Sequence, residues 1–320
     1  MKVASQLHMT LMASLLVSAG WVGVASQAFG NSPDSPAIDE RAETRGPDRG
    51  VLYISGGGNK TDAGVEHNLK FRSPTFVDLV RKARSTTEPD IVVIATAGGR
   101  DRHGEHSATL VFKELIGAAH VMELFTRSRE VADSDAFVAH INRADGVWIT
   151  GGQQGLLADA FLETRTAQAL RAVLARGGVI GGSSAGAQFQ SSFMSRGMPK
   201  TGRTGPILGD KKHQRGMGFI SHSAFDVHVA ARNRQDDLFQ LFATGPGQLQ
   251  DTDLDPRQLL GIGIDELTAI IVRQDQFEVV GEGHVYIFNP REWNDATRPF
   301  YHTLSSGNRY DIKARKTIHR

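Results

Sequence analysis

A serine flanked by small residues stands where a short apolar run gives way to a helical stretch. Residues 182–186 read Gly-Ser-Ser-Ala-Gly, which fits G-x-S-x-G with Ser184 at its centre. A serine on a sharp turn between a strand and a helix is held clear of the sheet, and N–H groups at the helix start can stabilise an oxyanion. The pattern therefore favours a nucleophilic serine, with the N–H of Ala185 as one oxyanion donor and the loop at Gly151 and Gly152 as the source of another.

The same residues have simpler interpretations. A glycine turn at a strand end would look alike, and so would a phosphate-binding loop. The chain contains neither G-x-x-x-x-G-K-[ST] nor G-x-G-x-x-G, however. The agreement of the motif with its strand-to-helix context favours the nucleophile.

A serine nucleophile needs a general base, and two histidines follow it at suitable places. His222 and His228 both lie after a predicted strand at 218–220. His228 has the more favourable setting, because Asp226 precedes it and Arg232 and Arg234 follow on a predicted helix. The residue types alone leave the choice between the two histidines open.

The base in turn needs an acid that orients it. Asp265 and Glu266 come directly after the apolar run 261–264, at the carboxyl end of a predicted strand. Adjacent carboxylates at such an end suit a ligand site, although they could also cap a turn.

These candidates need a scaffold, and the body of the chain alternates between strand and helix. Short apolar runs separated by amphipathic stretches predict parallel strands covered on both faces. The glycine clusters 56–58, 98–99, 151–152 and 181–182 lie at the ends of four such runs, at 51–54, 91–94, 147–150 and 179–180. Another strand is predicted at 121–125 and one long helix at 156–176. The pattern predicts an open, mostly parallel α/β sheet whose ligands bind beyond the carboxyl ends of its strands.

From about residue 259 the pattern changes to short strands with tight turns. Runs at 261–264, 269–272, 277–280 and 285–288 predict antiparallel strands that extend the same sheet. We place the catalytic domain at residues 51–290 and a basic C-terminal extension at 291–320.

The composition excludes several kinds of site and partner. The chain has 320 residues and no cysteine, which excludes disulfides, thiolate metal sites and a cysteine nucleophile. The formal net charge of +1 gives no bulk attraction to nucleic acid. Glycine is the outlier at 35 residues, and it marks sharp turns or close backbone approach.

The N-terminus has the pattern of an export signal. Lys2 precedes an apolar, uncharged stretch at 9–24, and small residues follow. The stretch is short for a membrane span, so a cleaved signal peptide at 1–28 is favoured over an uncleaved anchor. Residues 29–50 are rich in Pro, Asp, Glu and Arg and are predicted to be a disordered linker. We therefore expect a periplasmic or secreted protein.

Together these residues resemble the cyanophycinase and aspartyl dipeptidase family of serine peptidases, whose fold is similar to a class I glutamine amidotransferase domain. The resemblance spans residues 51 to about 289. Four ordered motifs carry it: the elbow 182–187, the glycine loop 150–154, the histidine segment 226–232, and a strand ending in Asp-Glu followed by Thr-Ala at 261–269.

The resemblance implies a three-layer, flavodoxin-like sandwich and a serine peptidase mechanism without cofactor or metal. It implies Ser184 as nucleophile, His228 as general base and Glu266 as orienting acid, with oxyanion donors at Gly152 and Ala185. It also implies that four residues help to hold a peptide or a cyanophycin-like polymer: Gln154, Asp226, Arg232 and Arg234. A homodimer is compatible with it. The chain departs from the family at Val227, where the family has Gln, and at Asp237, where it has Arg, so the substrate's charge preference is open.

Other functions remain open on the same residues. A metal hydrolase could use His222, Asp226 and His228, or His103, Glu105 and His106, although neither spacing is a strong zinc signature. The acidic stretch from Asp251 lacks the glycine and final glutamate of a calcium loop. A non-catalytic binding protein on the same scaffold is a third possibility. A conventional α/β-hydrolase esterase is a fourth, but its acid would precede the histidine.

Overall fold

The computed structural model describes residues 43–58, 62–98, 104–198, 206–244, 247–249, 252–293 and 300–319, which belong to one compact unit. The predicted signal peptide and residues 29–42 of the predicted linker lie outside these ranges.

Fourteen strands are present in the described ranges, and they form two sheets. In chain order they are β1 (Val51–Ser55), β2 (Ile91–Ile94), β3 (Val121–Leu124), β4 (Gly146–Ile149), β5 (Val179–Ser183), β6 (Phe193–Met194), β7 (Ser223–Val227), β8 (Leu260–Ile264), β9 (Thr268–Arg273), β10 (Gln276–Gly281), β11 (Val285–Phe288), β12 (His302–Leu304), β13 (Arg309–Asp311) and β14 (Lys316–Ile318).

The larger sheet has nine strands in the order β14-β13-β10-β9-β1-β5-β4-β2-β3. Its five strands from β1 to β3 in this order are parallel, and β9, β10, β13 and β14 join antiparallel. The smaller sheet has the order β12-β11-β8-β7-β6. The predicted α/β class, its parallel centre and its antiparallel C-terminal strands are confirmed.

Helices cover both faces of the larger sheet. Successive side chains of a strand point to opposite faces, so the apolar strands present a hydrophobic surface on each side. The helices are α1 (Asp62–Arg84), α2 (Ser107–Ile116), α3 (Arg129–Ala132), α4 (Asp135–Arg143), α5 (Gln154–Phe161), α6 (Arg165–Ala175), α7 (Ala185–Gln188) and α8 (Asp237–Phe242). Leu52 and Ile54 join a core with α4, α5 and α6, whereas Val51 and Tyr53 join a separate core with α1 and α2. The result is the three-layer arrangement expected from the sequence.

Two of the sequence-based element predictions were wrong in detail. The predicted long helix at 156–176 is interrupted between α5 and α6, where Glu163 has a φ of 62°. The Thr164 hydroxyl and N–H both donate to the carbonyl of Phe161, a local bond that competes with the helix. The strand expected at 218–220 begins instead at Ser223.

The C-terminal strands do not all extend one sheet, which corrects the sequence-based expectation. β9 and β10 continue the larger sheet, but β8 and β11 pair with β7 and with each other in the smaller one. The chain crosses from the smaller to the larger sheet within Asp265, Glu266 and Leu267. Periodicity shows that a run is a strand but not which neighbour it pairs with, so sequence could not reveal this crossing.

The predicted domain limits at 51 and 290 do not bound the folded body. Thr44 is buried, and the N–H of Arg45 donates to Ser221 Oγ at 2.9 Å. At the other end, β12 pairs with β11, and β13 pairs with β10. Buried Arg315 donates to Thr44 Oγ1 at 2.8 Å and to the carbonyl of Gln258 at 2.5 Å. Described residues on both sides of the predicted limits therefore contribute to one structure.

Replacing Arg315 should destabilise the protein, because its guanidinium serves several buried oxygens. Arg315→Met leaves the carbonyl of Gln258, Asn289 Oδ1 and Thr44 Oγ1 without this donor. We expect the free energy of unfolding to fall by about 3 kcal/mol, measured by urea denaturation with circular dichroism.

The matched control is Lys313→Met at an exposed position two residues away. It should change the same quantity by less than about 0.5 kcal/mol. Equal stability of the two variants would show that the C-terminal strands are not anchored through Arg315.

Candidate active site

Ser184 lies on a sharp turn between β5 and α7. Its φ of 55° and ψ of −113° are strained for a residue with a side chain. A Cβ at Gly182 would overlap the carbonyl of Gly186, and one at Gly186 would overlap the carbonyl of Ile149. Glycine is thus required on both sides of the serine, which is the physical basis of the motif found in the sequence.

Three side chains form a continuous line of hydrogen bonds. Ser184 Oγ lies 2.8 Å from His228 Nε2, and His228 Nδ1 lies 2.7 Å from Glu266 Oε1. Because a carboxylate only accepts, the proton of the neutral imidazole belongs on Nδ1. Nε2 is then free to accept from the serine hydroxyl. The structure brings the predicted nucleophile, base and acid together in the order that the resemblance implied.

The environment of His228 favours its neutral form. Burial lowers the pKa of His228 below its ordinary value, and the cations of Arg232 and Arg234 act in the same direction. The hydrogen bond to Glu266 raises the pKa but does not outweigh burial. The imidazole is therefore unprotonated at neutral pH and able to accept a proton.

The backbone at the end of β1 binds the three segments that carry these side chains. Ser184 N–H donates to the carbonyl of Ser55 at 3.0 Å, and His228 N–H donates to the carbonyl of Gly56 at 3.1 Å. Leu267 N–H, next to Glu266, donates to the carbonyl of Gly57 at 3.1 Å. A Cβ at Gly57 would overlap the His228 ring, so this close approach needs glycine. The sequence marked this glycine cluster only as a strand end.

The two predicted oxyanion donors belong to the glycine loop and to the start of α7, which both lie next to Ser184. Ala185 is the first residue of α7, so its N–H has no partner within the helix. A Cβ at Gly151 would lie 3.3 Å from Ser184 Cβ, which shows how closely the glycine loop approaches the serine. Gly152 has a φ of 143°, and a side chain there would overlap the carbonyl of Ala97. The glycine loop and the start of α7 therefore approach Ser184 from two sides of the chain.

Three of the predicted substrate-binding residues are occupied by contacts within the protein. Asp226 is fully buried and accepts from Arg196 Nη2 at 2.9 Å, and Arg234 Nη1 lies 3.5 Å from Asp226 Oδ1. Gln154 Nε2 donates to the carbonyl of Ser195 at 2.8 Å and is also buried. The structure thus places these side chains behind the site, where they support it, rather than at its surface.

Arg232 is more exposed than these three residues. It is partly exposed and close enough to His228 to lower the pKa of that imidazole. The departures noted in the sequence have structural partners too: Val227 is buried in the main core, and Asp237 pairs with Arg196.

Two arginines near the site carried no signal in the sequence. Arg72 on α1 donates to Ser183 Oγ, directly before the candidate nucleophile, and lies over the Trp148 ring at 5.9 Å. Burial lowers the pKa of Arg72 to about 10. Arg196 pairs with both Asp226 and Asp237. Neither belongs to a motif, and the contacts of both depend on tertiary structure.

The histidines proposed as metal ligands have separate partners. His222 Nδ1 lies 3.1 Å from the carbonyl of Glu43, whereas His228 faces Ser184 and Glu266. His106 caps α2 by accepting from Ala108 N–H, and His103 lies outside the described residues. In the described ranges, no three His, Asp or Glu side chains are grouped as metal ligands would be.

None of the helices in the part of the chain that the structure describes combines the length and the apolar character needed to cross a membrane.

Comparison with known proteins relates this site to a peptidase family. The family model described as peptidase family S51 matches residues 51–280. A cyanophycinase of Nostoc sp. is 30% identical over 224 residues, covering 65% of this chain and 70% of the relative. A cyanophycinase of Synechococcus elongatus is 27% identical over 225 residues, covering 66% of each.

A solved structure shares the fold. The crystal structure of a peptidase from an acI-B1 Actinobacterium has a TM-score of 0.56 at 22% identity, covering 84% of this chain and 98% of that one. The family match spans most of the chain and includes Ser184, His228 and Glu266. The chain therefore belongs to peptidase family S51, a family of hydrolases.

Proposed function

We propose that this protein is an exported serine peptidase that hydrolyses aspartyl peptide bonds or β-aspartyl isopeptide bonds, as in cyanophycin. The hydrogen-bonded line from Ser184 through His228 to Glu266 is the observation that carries the proposal. Such a line activates a hydroxyl that is otherwise a weak nucleophile. The similarity to proteins named cyanophycinase supports the substrate class.

In the acylation step, Ser184 Oγ attacks the carbonyl carbon of the scissile bond and its proton passes to His228 Nε2. Glu266 stabilises the resulting imidazolium through Nδ1–H. The oxyanion accepts hydrogen bonds from the N–H groups of Ala185 and Gly152. When the tetrahedral intermediate collapses, the carbon–nitrogen bond breaks and His228 returns the proton to the leaving amine.

In the deacylation step, His228 removes a proton from water, and the resulting hydroxide attacks the ester carbonyl on Ser184. The second intermediate collapses to the free carboxylic acid, and His228 gives its proton back to Ser184 Oγ. The enzyme is regenerated without a metal or a cofactor.

We assign to Arg232 the binding of a carboxylate on the substrate. It is partly exposed beside His228, and a guanidinium is well suited to bidentate recognition of a carboxylate. Gln154, Asp226 and Arg234 support the walls of the site from behind. In an aspartyl dipeptide, the aspartyl carboxylate that is not in the scissile bond supplies the matching charge.

Replacing the nucleophile should abolish turnover and leave the fold intact. We expect Ser184→Ala to lower kcat by at least roughly 10⁴-fold on the best substrate among cyanophycin, β-aspartyl-arginine and α-aspartyl dipeptides. A fluorophosphonate probe should label the wild type and not this variant. Ser134→Ala, which removes a hydroxyl that caps the distant α4, should be labelled like the wild type. Full activity of Ser184→Ala would contradict the proposal.

The value of kcat/KM should rise as His228 loses its proton. Because burial lowers the pKa of His228, kcat/KM should rise with pH through an apparent pKa below about 6.5 and level off by neutral pH. Glu266→Gln removes a carboxylate that raises this pKa, so its acidic limb should move to lower pH while kcat falls on the order of 10³-fold. An unchanged limb together with unchanged kcat would remove Glu266 from the mechanism.

Export rests on the N-terminal pattern of Lys2 and the apolar stretch at 9–24. Expression of the full chain in a Gram-negative host should yield a periplasmic protein whose mass has lost the segment that ends between residues 25 and 30. Intact-mass spectrometry of the purified protein checks this. Replacing Leu15 and Leu16 with Arg should keep the chain uncleaved in the cytoplasm. A full-length wild-type mass would contradict export by this signal.

A further inference from the structure

Four charged side chains are packed together behind His228. Arg196 binds Asp226 with two nitrogens, Nε to Oδ1 at 3.3 Å and Nη2 to Oδ2 at 2.9 Å. Its Nη2 also donates to Asp237 on α8. Arg234 completes the group, with Nη1 3.5 Å from Asp226 Oδ1. We call these residues, Arg196, Asp226, Arg234 and Asp237, the charge cluster.

The charge cluster is bonded to the backbone on both sides of His228. On one side, Arg234 Nη1 donates to the carbonyl of Val227 at 3.2 Å, and Val227 N–H donates to Asp226 Oδ1 at 3.0 Å. On the other side, Arg234 N–H donates to the carbonyl of Val229 at 2.9 Å. His228 itself has a φ of 58°, which a residue with a side chain adopts only when its surroundings enforce it.

The cluster is neutral only as long as Arg196 is present. Two guanidinium groups face two carboxylates, and Asp226 is fully buried. Without Arg196 the group has one net negative charge in a place where water screens it poorly. A negative charge behind an imidazole favours the protonated form, which cannot act as a base.

Arg196 is held in place by its own backbone. Its φ is 66°, and its N–H donates to the carbonyl of Ile207 at 2.7 Å. The preceding Ser195 donates from Oγ to Asp226 Oδ1 at 3.1 Å and accepts from Gln188 Nε2 at 2.5 Å. The segment is thus held by Ile207, by Gln188 of α7 and by Asp226 of β7, and these contacts fix the guanidinium.

We propose that Arg196 is a positioning residue for the catalytic histidine: by neutralising Asp226 and Asp237 it keeps the imidazole in its base-competent form and holds the adjoining peptides in place. The catalytic consequence rests on the proposed function of Ser184 and His228. The electrostatic consequence is a property of the folded protein and can be measured without turnover.

Charged side chains from several elements surround His228. Glu266 faces it from the crossing between β8 and β9, and Arg232 and Arg234 face it from the segment that follows it. Asp226 lies on β7, which ends directly before His228. Asp237 on α8 is connected to Asp226 through Arg196. A test therefore has to change the cluster while Glu266 and Arg232 stay in place.

The test is an NMR titration of the His228 imidazole in protein labelled with ¹³C-histidine, its resonance assigned by comparison with His228→Gln. We expect the pKa of His228 to rise in Arg196→Met, by roughly half a unit to one unit, because an anion is left uncompensated. We expect it to fall by a smaller amount in Asp237→Asn, since that carboxylate is partly exposed. The double variant and Arg196→Lys should both lie close to the wild type.

Opposite shifts in the two single variants are the decisive result, since loss of packing alone would not change sign. Arg165→Met is the matched control: it breaks a surface pair with Asp135 and should leave the titration unchanged. Thermal unfolding shows which variants fold, and if Arg196→Met does not, then Asp237→Asn and Arg196→Lys still decide. A wild-type titration in Asp237→Asn, or shifts of one sign in all variants, overturns the proposal.

The proposed function fails in a different way. If the fluorophosphonate probe does not label Ser184 in the wild type, the serine mechanism is wrong, whatever the titrations show. Labelling of Ser184 in Arg196→Met can also be followed as a function of pH. If its rate does not rise through the pKa of His228 that NMR measures in this variant, the role of Arg196 in positioning the base is refuted, while the serine mechanism stands.

Discussion

The site depends on a short stretch of backbone, Ser55 to Gly57, that accepts hydrogen bonds from the chain at or beside all three candidate catalytic residues. Ser184 follows β5 of the larger sheet, and His228 follows β7 of the smaller one. Glu266 lies in the crossing between them. Without this common anchor, the distances within the triad would vary with every small movement of one sheet against the other. The glycines allow the approach, because any side chain at Gly57 would displace the imidazole.

Strain is concentrated at the same place. Ser184, His228 and Leu267 all have positive φ, although each carries a side chain. Such conformations are unfavourable by about 1–3 kcal/mol each, so the surrounding bonds must enforce them. The carbonyls of Ser55, Gly56 and Gly57 do so for all three residues, and the charge cluster adds to this at His228. The geometry is therefore built into the unliganded fold, and binding of a substrate does not have to create it.

The sequence predicted those parts of the protein that depend on local pattern. The strand and helix alternation gave the parallel centre, and the elbow motif located Ser184, since glycine at 182 and 186 is a steric necessity there. The division into two sheets could not be read, because the runs that became β8 and β9 have the same character and only their partners differ. Arg196 was missed for a similar reason: its contacts join residues 30 and 41 positions away. Asp226 and Arg234 were found, but burial gave them a supporting position that spacing alone does not reveal.

The hydrogen bond from Arg315 to Thr44 joins residues 271 positions apart. It cannot form until residue 315 has left the ribosome. Contacts of such long sequence separation slow folding, because a large loop must close before they contribute. The strands β13 and β14 join the edge of the larger sheet from a similarly late part of the sequence. A nascent chain of this topology thus stays incompletely folded until β14 has left the ribosome.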